Sequence, residues 1–112
     1  MKTLLATLWL AGSLLPGQAA PLRALIIDGQ NNHDWKATTP VIQKALEACG
    51  LFTVEVATTP EGNSPALAQF KPDFAKYKVI VMNYNGAMWS DATCKSFEKY
   101  MSDGGGMVLN SI

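Results

Sequence analysis

Histidine, cysteine and charge are all scarce in this chain of 112 residues. His33 is the only imidazole, and Cys49 and Cys94 are the only thiols. His33, Asp34 and Asp28 have atoms suited to a metal, but neighbours in sequence cannot all point inward and no second His or Cys stands nearby, so neither a metal nor a cofactor is expected. Charged side chains make up 16% of the residues, nine basic against nine acidic, with no cluster of either sign. That balance excludes a surface for nucleic acid. No apolar run reaches the roughly 20 residues that span a bilayer. The longest, Leu4 to Leu15, follows a short basic head and ends at Pro16-Gly17, with Gly17-Gln18-Ala19 supplying small residues where a signal peptidase reads. The pattern predicts a signal peptide over residues 1–19, cleavage after Ala19, and a secreted or periplasmic product with no membrane contact afterwards. No cysteine follows the cut to take a lipid.

The remaining 20–112 has the hydrophobic content of an ordinary globular protein and room for one domain at most. Its organising stretch is Arg23 to Trp35. Leu25, Ile26 and Ile27 form a short, large, partly β-branched run, which suits a strand buried on both faces in a parallel sheet. Asp28-Gly29 ends it, and Gln30, Asn31, Asn32, His33, Asp34 and Trp35 follow at once. Ligands in open α/β sheets bind outside the carboxyl ends of strands, so this cluster is the candidate site, and its amides and stacking ring suit sugar hydroxyls better than phosphate.

Thr39-Pro40 reads as a helix start whose buried face is Val41, Ile42, Ala45, Leu46 and Cys49, with Gly50 as its stop. Phe52 to Ala57 alternates like a strand near a sheet edge. Thr58 to Pro72 is rich in turn formers and holds at most a short helix from Pro65 to Phe70, capped by Ser64. Val79 to Met82 is a third strand, ending in Asn83, Tyr84 and Asn85 at the same sheet edge. Ser90 caps a helix with Cys94, Phe97 and Met101 inward. Gly104 to Gly106 then ends that helix, and Met107 to Leu109 begins a fourth strand. This order is an α/β pattern: an open, mainly parallel sheet with helices on both faces, of the flavodoxin-like kind, that stops after the fourth strand. A receiver domain is set aside because Asn83 stands where its phosphorylatable Asp would be. A flavodoxin is set aside because amides replace the phosphate loop after strand one. The glycine triplet precedes a strand, unlike a phosphate-binding loop.

The motif Ile27 to Lys36 (IDGQNNHDWK) resembles the opening of ThuA-like proteins, a family named for trehalose utilisation and similar in fold to class I glutamine amidotransferases. The resemblance extends through Gly50 to Val56, Phe70 to Tyr77, Asn83 to Gly86 and Phe97 to Tyr100, up to Gly104 to Gly106. It implies a role in carbohydrate metabolism, with a small saccharide as partner. Family members continue past the fourth strand into a His-Ala step and further elements, where this chain reads Ser111-Ile112. Residues 20–112 are therefore expected to be the N-terminal part of such a domain and inactive alone.

Two readings stay open. In one, His33 is the acid or base of a hydrolase acting on saccharides, Asp28 or Asp34 orients it, and Gln30, Asn31, Asn32, Trp35, Asn83, Tyr84 and Asn85 bind substrate. In the other, the same residues form a sugar-binding module without catalysis. Each has its bland counterpart: Asp28 holding a turn by accepting from the amides of Gln30 to Asn32, Trp35 as a packing lid, His33 as a turn residue. No amidotransferase nucleophile is visible, because both cysteines fit helix stripes rather than a strand-turn-helix elbow. An oxidising compartment invites a Cys49–Cys94 disulfide. Helices on opposite faces of a sheet are separated by roughly 20 Å, however, beyond the roughly 7 Å limit for bridged Cα atoms.

Overall fold

The computed structural model describes residues 20–110. Residues 1–19, where a signal peptide is expected, and Ser111-Ile112 lie outside the described residues. The elements are β1 (Leu22–Asp28), α1 (Trp35–Ala48), β2 (Phe52–Thr58), two short 3₁₀ turns (Pro65–Gln69 and Phe74–Lys76), β3 (Val79–Met82), α2 (Asp91–Ser102) and β4 (Gly106–Leu109). All strand pairs are parallel, in the order β2-β1-β3-β4. The open parallel α/β sheet expected from the sequence is the observed fold, with β2 at an edge.

Side chains alternate across each strand, and the register aligns that alternation over the sheet. Leu25, Ile27 and Ile80 share one face. Phe74 and Tyr100 cover them to form the buried core, and Phe97, Trp89 and Tyr84 pack around its margin. Trp89 lies nearly parallel to Tyr84, with centroids 6.2 Å apart, and meets Phe97 edge-on at 5.8 Å, so it is a packing residue. The opposite face carries Ala24, Ile26 and Val81, and there α1 crosses the sheet. Each large apolar side chain buried in this way contributes about 1.5–3 kcal/mol, which explains why the consecutive run Leu25 to Ile27, buried on both faces, is the centre of the molecule.

Three local expectations change. First, α1 begins at Trp35, not at Thr39, because the Asp34 side chain accepts from the Ala37 amide and caps the helix five residues earlier. Thr39 turns inward instead and is the one buried residue of α1, while Pro40 lies inside the helix. Second, the apolar stripe of α1 is shallow: Ile42 and Leu46 are half-buried, but Val41 is 66% exposed and Cys49, past the helix end, is exposed. Third, the inward face of α2 is Thr93, Phe97 and Tyr100 rather than Cys94, Phe97 and Met101. Thr93 satisfies its buried hydroxyl by donating to the Phe70 carbonyl at 2.6 Å. The stripe shifts by one position because a threonine with a carbonyl partner can be buried as readily as a sulfur side chain.

The expected short helix after Ser64 is a 3₁₀ turn, with Ser64 accepting from the Ala66 amide at 3.0 Å. Both cysteines are free, Cys49 after α1 and Cys94 on α2, on helices that flank opposite faces. Thiol titration of the denatured protein is expected to find two thiols per chain. Finding none in a monomer would refute this separation.

Candidate functional site

Because the strands are parallel, their carboxyl ends share one edge. Asp28 closes β1 there, 3% exposed. Its two oxygens accept from Thr39 Oγ1 at 2.8 Å and Thr58 Oγ1 at 2.6 Å, so threonine hydroxyls from α1 and β2 hold it, not the loop amides. Asn83, just past β3, is fully buried. It donates through Nδ2 to Thr38 Oγ1 at 3.1 Å and Thr39 Oγ1 at 3.0 Å. Its Oδ1 accepts from Asn110 at 2.9 Å and from Asn31 at 3.3 Å. A continuous polar network thus joins β1, β2, β3, the start of α1 and the residue after β4. A buried carboxylate and a buried amide are tolerable only when partnered in this way.

Asn31 links that interior to the surface. Its Nδ2 also reaches the Asn83 carbonyl at 3.1 Å, and its Oδ1 accepts from the His33 amide at 3.1 Å, which folds the loop into a side-chain-braced turn. The brace presents His33 next to the helix cap Asp34 and the first helical residue, Trp35. Gln30, Asn31, His33, Asp34, Trp35 and Lys36 form one wall of a cleft of about 740 Å³, and Thr59, Glu61, Gly62, Asn63 and Ser64 form the other. The Lys36 ammonium lies 5.6 Å from the Trp35 ring centroid and occupies one face of the indole.

Two glycines allow the loops to approach. Gly29 has φ +127°, and a Cβ on it would lie 2.9 Å from the Thr59 carbonyl oxygen and 3.2 Å from the Tyr84 ring. At Gly86 a Cβ would lie 2.7 Å from Gln30 Cβ. Gln30 is thereby seated between the β2 and β3 loops.

The sequence-derived candidates therefore separate into groups. Gln30, Asn31, His33, Asp34 and Trp35 meet at the cleft. Asp28 and Asn83 are turned inward to the network. Tyr84 and Asn85 line a distinct hollow of about 210 Å³ with Gly86 and Trp89, and Asn32 is exposed outside both. The Tyr84 hydroxyl donates to the Ala87 carbonyl, and burial pushes its phenol above the usual range. The cleft thus lies between the ends of β1 and β2, not β1 and β3. Its second wall, Thr59 to Ser64, falls in a stretch whose prolines and glycine read only as a connection. The available signal was positional, since a parallel β2 must end at the same edge. Among the described residues no three His, Cys, Asp or Glu side chains gather as a metal-ion group.

Donors, acceptors and a ring around an open cleft can bind a polyhydroxylated ligand. The chain is similar to a ThuA-like protein. A crystal structure of a protein so described, from Parabacteroides merdae ATCC 43184, matches with 37% sequence identity and a TM-score of 0.76, over 80% of this chain and 32% of that one. This chain accordingly spans about a third of that relative. No family model matches the sequence, and no curated protein matches it.

Proposed function

We propose that this chain is a ThuA-like unit of carbohydrate metabolism, exported through its leader, that binds a small saccharide in the cleft between Gln30–Lys36 and Thr59–Ser64. The observation that carries this reading is the cleft itself. Hydrogen-bonding groups, most of them neutral, and an indole converge at the carboxyl ends of parallel strands, where such sheets take their ligands. Similarity to a ThuA-like protein supports a place in carbohydrate metabolism. His33 is the imidazole of the cleft, the side-chain type most often used as a general acid or base, and its backbone is fixed by Asn31. Asp28 supports the site from behind, through Thr39 and Thr58.

Binding without catalysis is the second reading. It is favoured because the two carboxylates flanking His33 in sequence already serve the fold, Asp34 as a cap and Asp28 within the network. Calorimetric titration with trehalose, maltose and glucose, run beside an assay for released monosaccharide, tests both. Trp35→Ala is expected to weaken binding about tenfold, as loss of a stacking ring does. For a hydrolase, His33→Ala retains binding and abolishes turnover, whereas a binding module shows none in the wild type either. Absence of any binding by the wild type would refute both readings.

A further inference from the structure

We propose that Thr59 is a specificity-determining residue of the cleft, and that it engages a hydroxyl of a neutral saccharide. The inference rests on the carbohydrate reading of the same site. Thr59 follows β2 directly, and its amide donates to the Asp28 carbonyl at 2.8 Å, which extends the β1–β2 ladder one residue beyond the strand. Its position in the cleft wall is therefore set by the sheet rather than by a loop. The side chain is 4% exposed, yet its hydroxyl has no hydrogen-bond partner, whereas the hydroxyl of Thr58 next to it donates to Asp28 at 2.6 Å. A buried, unpartnered hydroxyl is a standing cost, and valine would fill the same space without it. The hydroxyl is thus unexplained by packing, and it belongs to a residue that lines the wall where a ligand would sit.

Gly29 holds Thr59 close to the end of β1, since a Cβ there would lie 2.9 Å from the Thr59 carbonyl oxygen and 3.2 Å from Thr59 Cβ. The Thr59 oxygen is shielded in the rotamer described, so the side chain turns about its Cα–Cβ bond to present it to a ligand. A hydroxyl can donate to and accept from a sugar hydroxyl at once. Glu61, on the same wall as Thr59, and Asp34 opposite set two carboxylates against Lys36. That balance disfavours an anionic ligand, so the ligand is a neutral sugar rather than a sugar phosphate or a uronic acid.

The full chain and its Thr59→Val and Thr59→Ser variants would be titrated with trehalose, maltose, glucose and glucose 6-phosphate, with a thermal melt of each. Thr59→Val is expected to melt no lower than the wild type, because it removes an unpartnered group, while its affinity for the neutral sugar falls about tenfold. Thr59→Ser should bind within about threefold of the wild type, since it keeps the hydroxyl. Unchanged affinity in Thr59→Val, or a loss of affinity accompanied by a lower melting temperature, overturns the assignment while leaving the carbohydrate reading in place. Tighter binding of glucose 6-phosphate than of glucose overturns the neutral-ligand assignment. A wild type that binds none of the four overturns the carbohydrate reading and this inference with it.

Discussion

Replacing Asn83 with leucine is expected to destabilise the fold by about 3 kcal/mol or more, seen as a lower urea midpoint. The substitution nearly conserves volume at a fully buried position, so cavity formation is not the cause. The cost arises from polar atoms left behind. Thr38 and Thr39 lose the amide that donates to both, and Asn31 and Asn110 lose the oxygen they share. Each group stranded out of reach of water costs about 1–3 kcal/mol, and a leucine in their midst offers nothing in return. Asn85→Leu is the control. That residue is exposed, and its recorded contact is a main-chain bond from its amide to the Gln30 carbonyl at 2.9 Å, so its effect should stay within about 0.5 kcal/mol. Equal shifts in the two variants would show that the network around Asn83 is not a principal source of stability.

Gly29→Ala is expected to cost about 2–4 kcal/mol and to distort the cleft. A non-glycine residue at φ +127° carries roughly 1–3 kcal/mol of backbone strain. The added Cβ would also stand 2.9 Å from the Thr59 carbonyl oxygen. That oxygen belongs to the main chain just beyond a paired strand, so it cannot swing aside as the end of a long side chain could. The β1 and β2 loops must separate, which moves both walls of the cleft. Gly62→Ala offers a comparison, because its Cβ would meet side-chain atoms alone, the Ala87 methyl at 3.0 Å and Gln30 Oε1 at 3.8 Å, and its φ is not positive. The two variants should differ by at least about 1 kcal/mol in urea unfolding. Matching stabilities would mean that the Gly29 turn relaxes freely.

The fold was legible because its signals were hydrophobic and repeated. Leu25 to Ile27 could be placed at the sheet centre from three consecutive apolar residues, and β2 at an edge from its weaker alternation. The start of α1 was harder, since Asp34 and Thr39 are both good caps and Pro40 favours the later start. What decided between them was tertiary: Thr39 is drawn to Asp28 and Asn83, which leaves Asp34 to cap. The site was legible as a place but not as an arrangement. A run of Asn, Asp and Gln after a strand announces an edge that binds or braces, yet polar side chains have no periodicity to show which of them turn inward. Asp28 and Asn83 went to the interior, and Thr59 to Ser64 reached the cleft from a segment that carried turn formers rather than a motif.

The placement of Thr38 and Thr39 also divides α1 mechanically. Upstream of Pro40, the helix is fastened by hydroxyl and amide bonds to Asp28 at the end of β1 and to Asn83 just past β3. Downstream it rests on the sheet through half-buried Ile42 and Leu46, with Val41 in solvent. Pro40 has no amide to return to the Lys36 carbonyl, so one rung of the ladder is missing where the two halves meet. Fraying that begins near Cys49 can therefore run up the helix and halt at the proline, while the turn bearing Trp35 stays in register with the strands beneath it. The long arm of the helix is thus held by apolar packing alone, whereas the short arm that carries the indole is tied to the buried network.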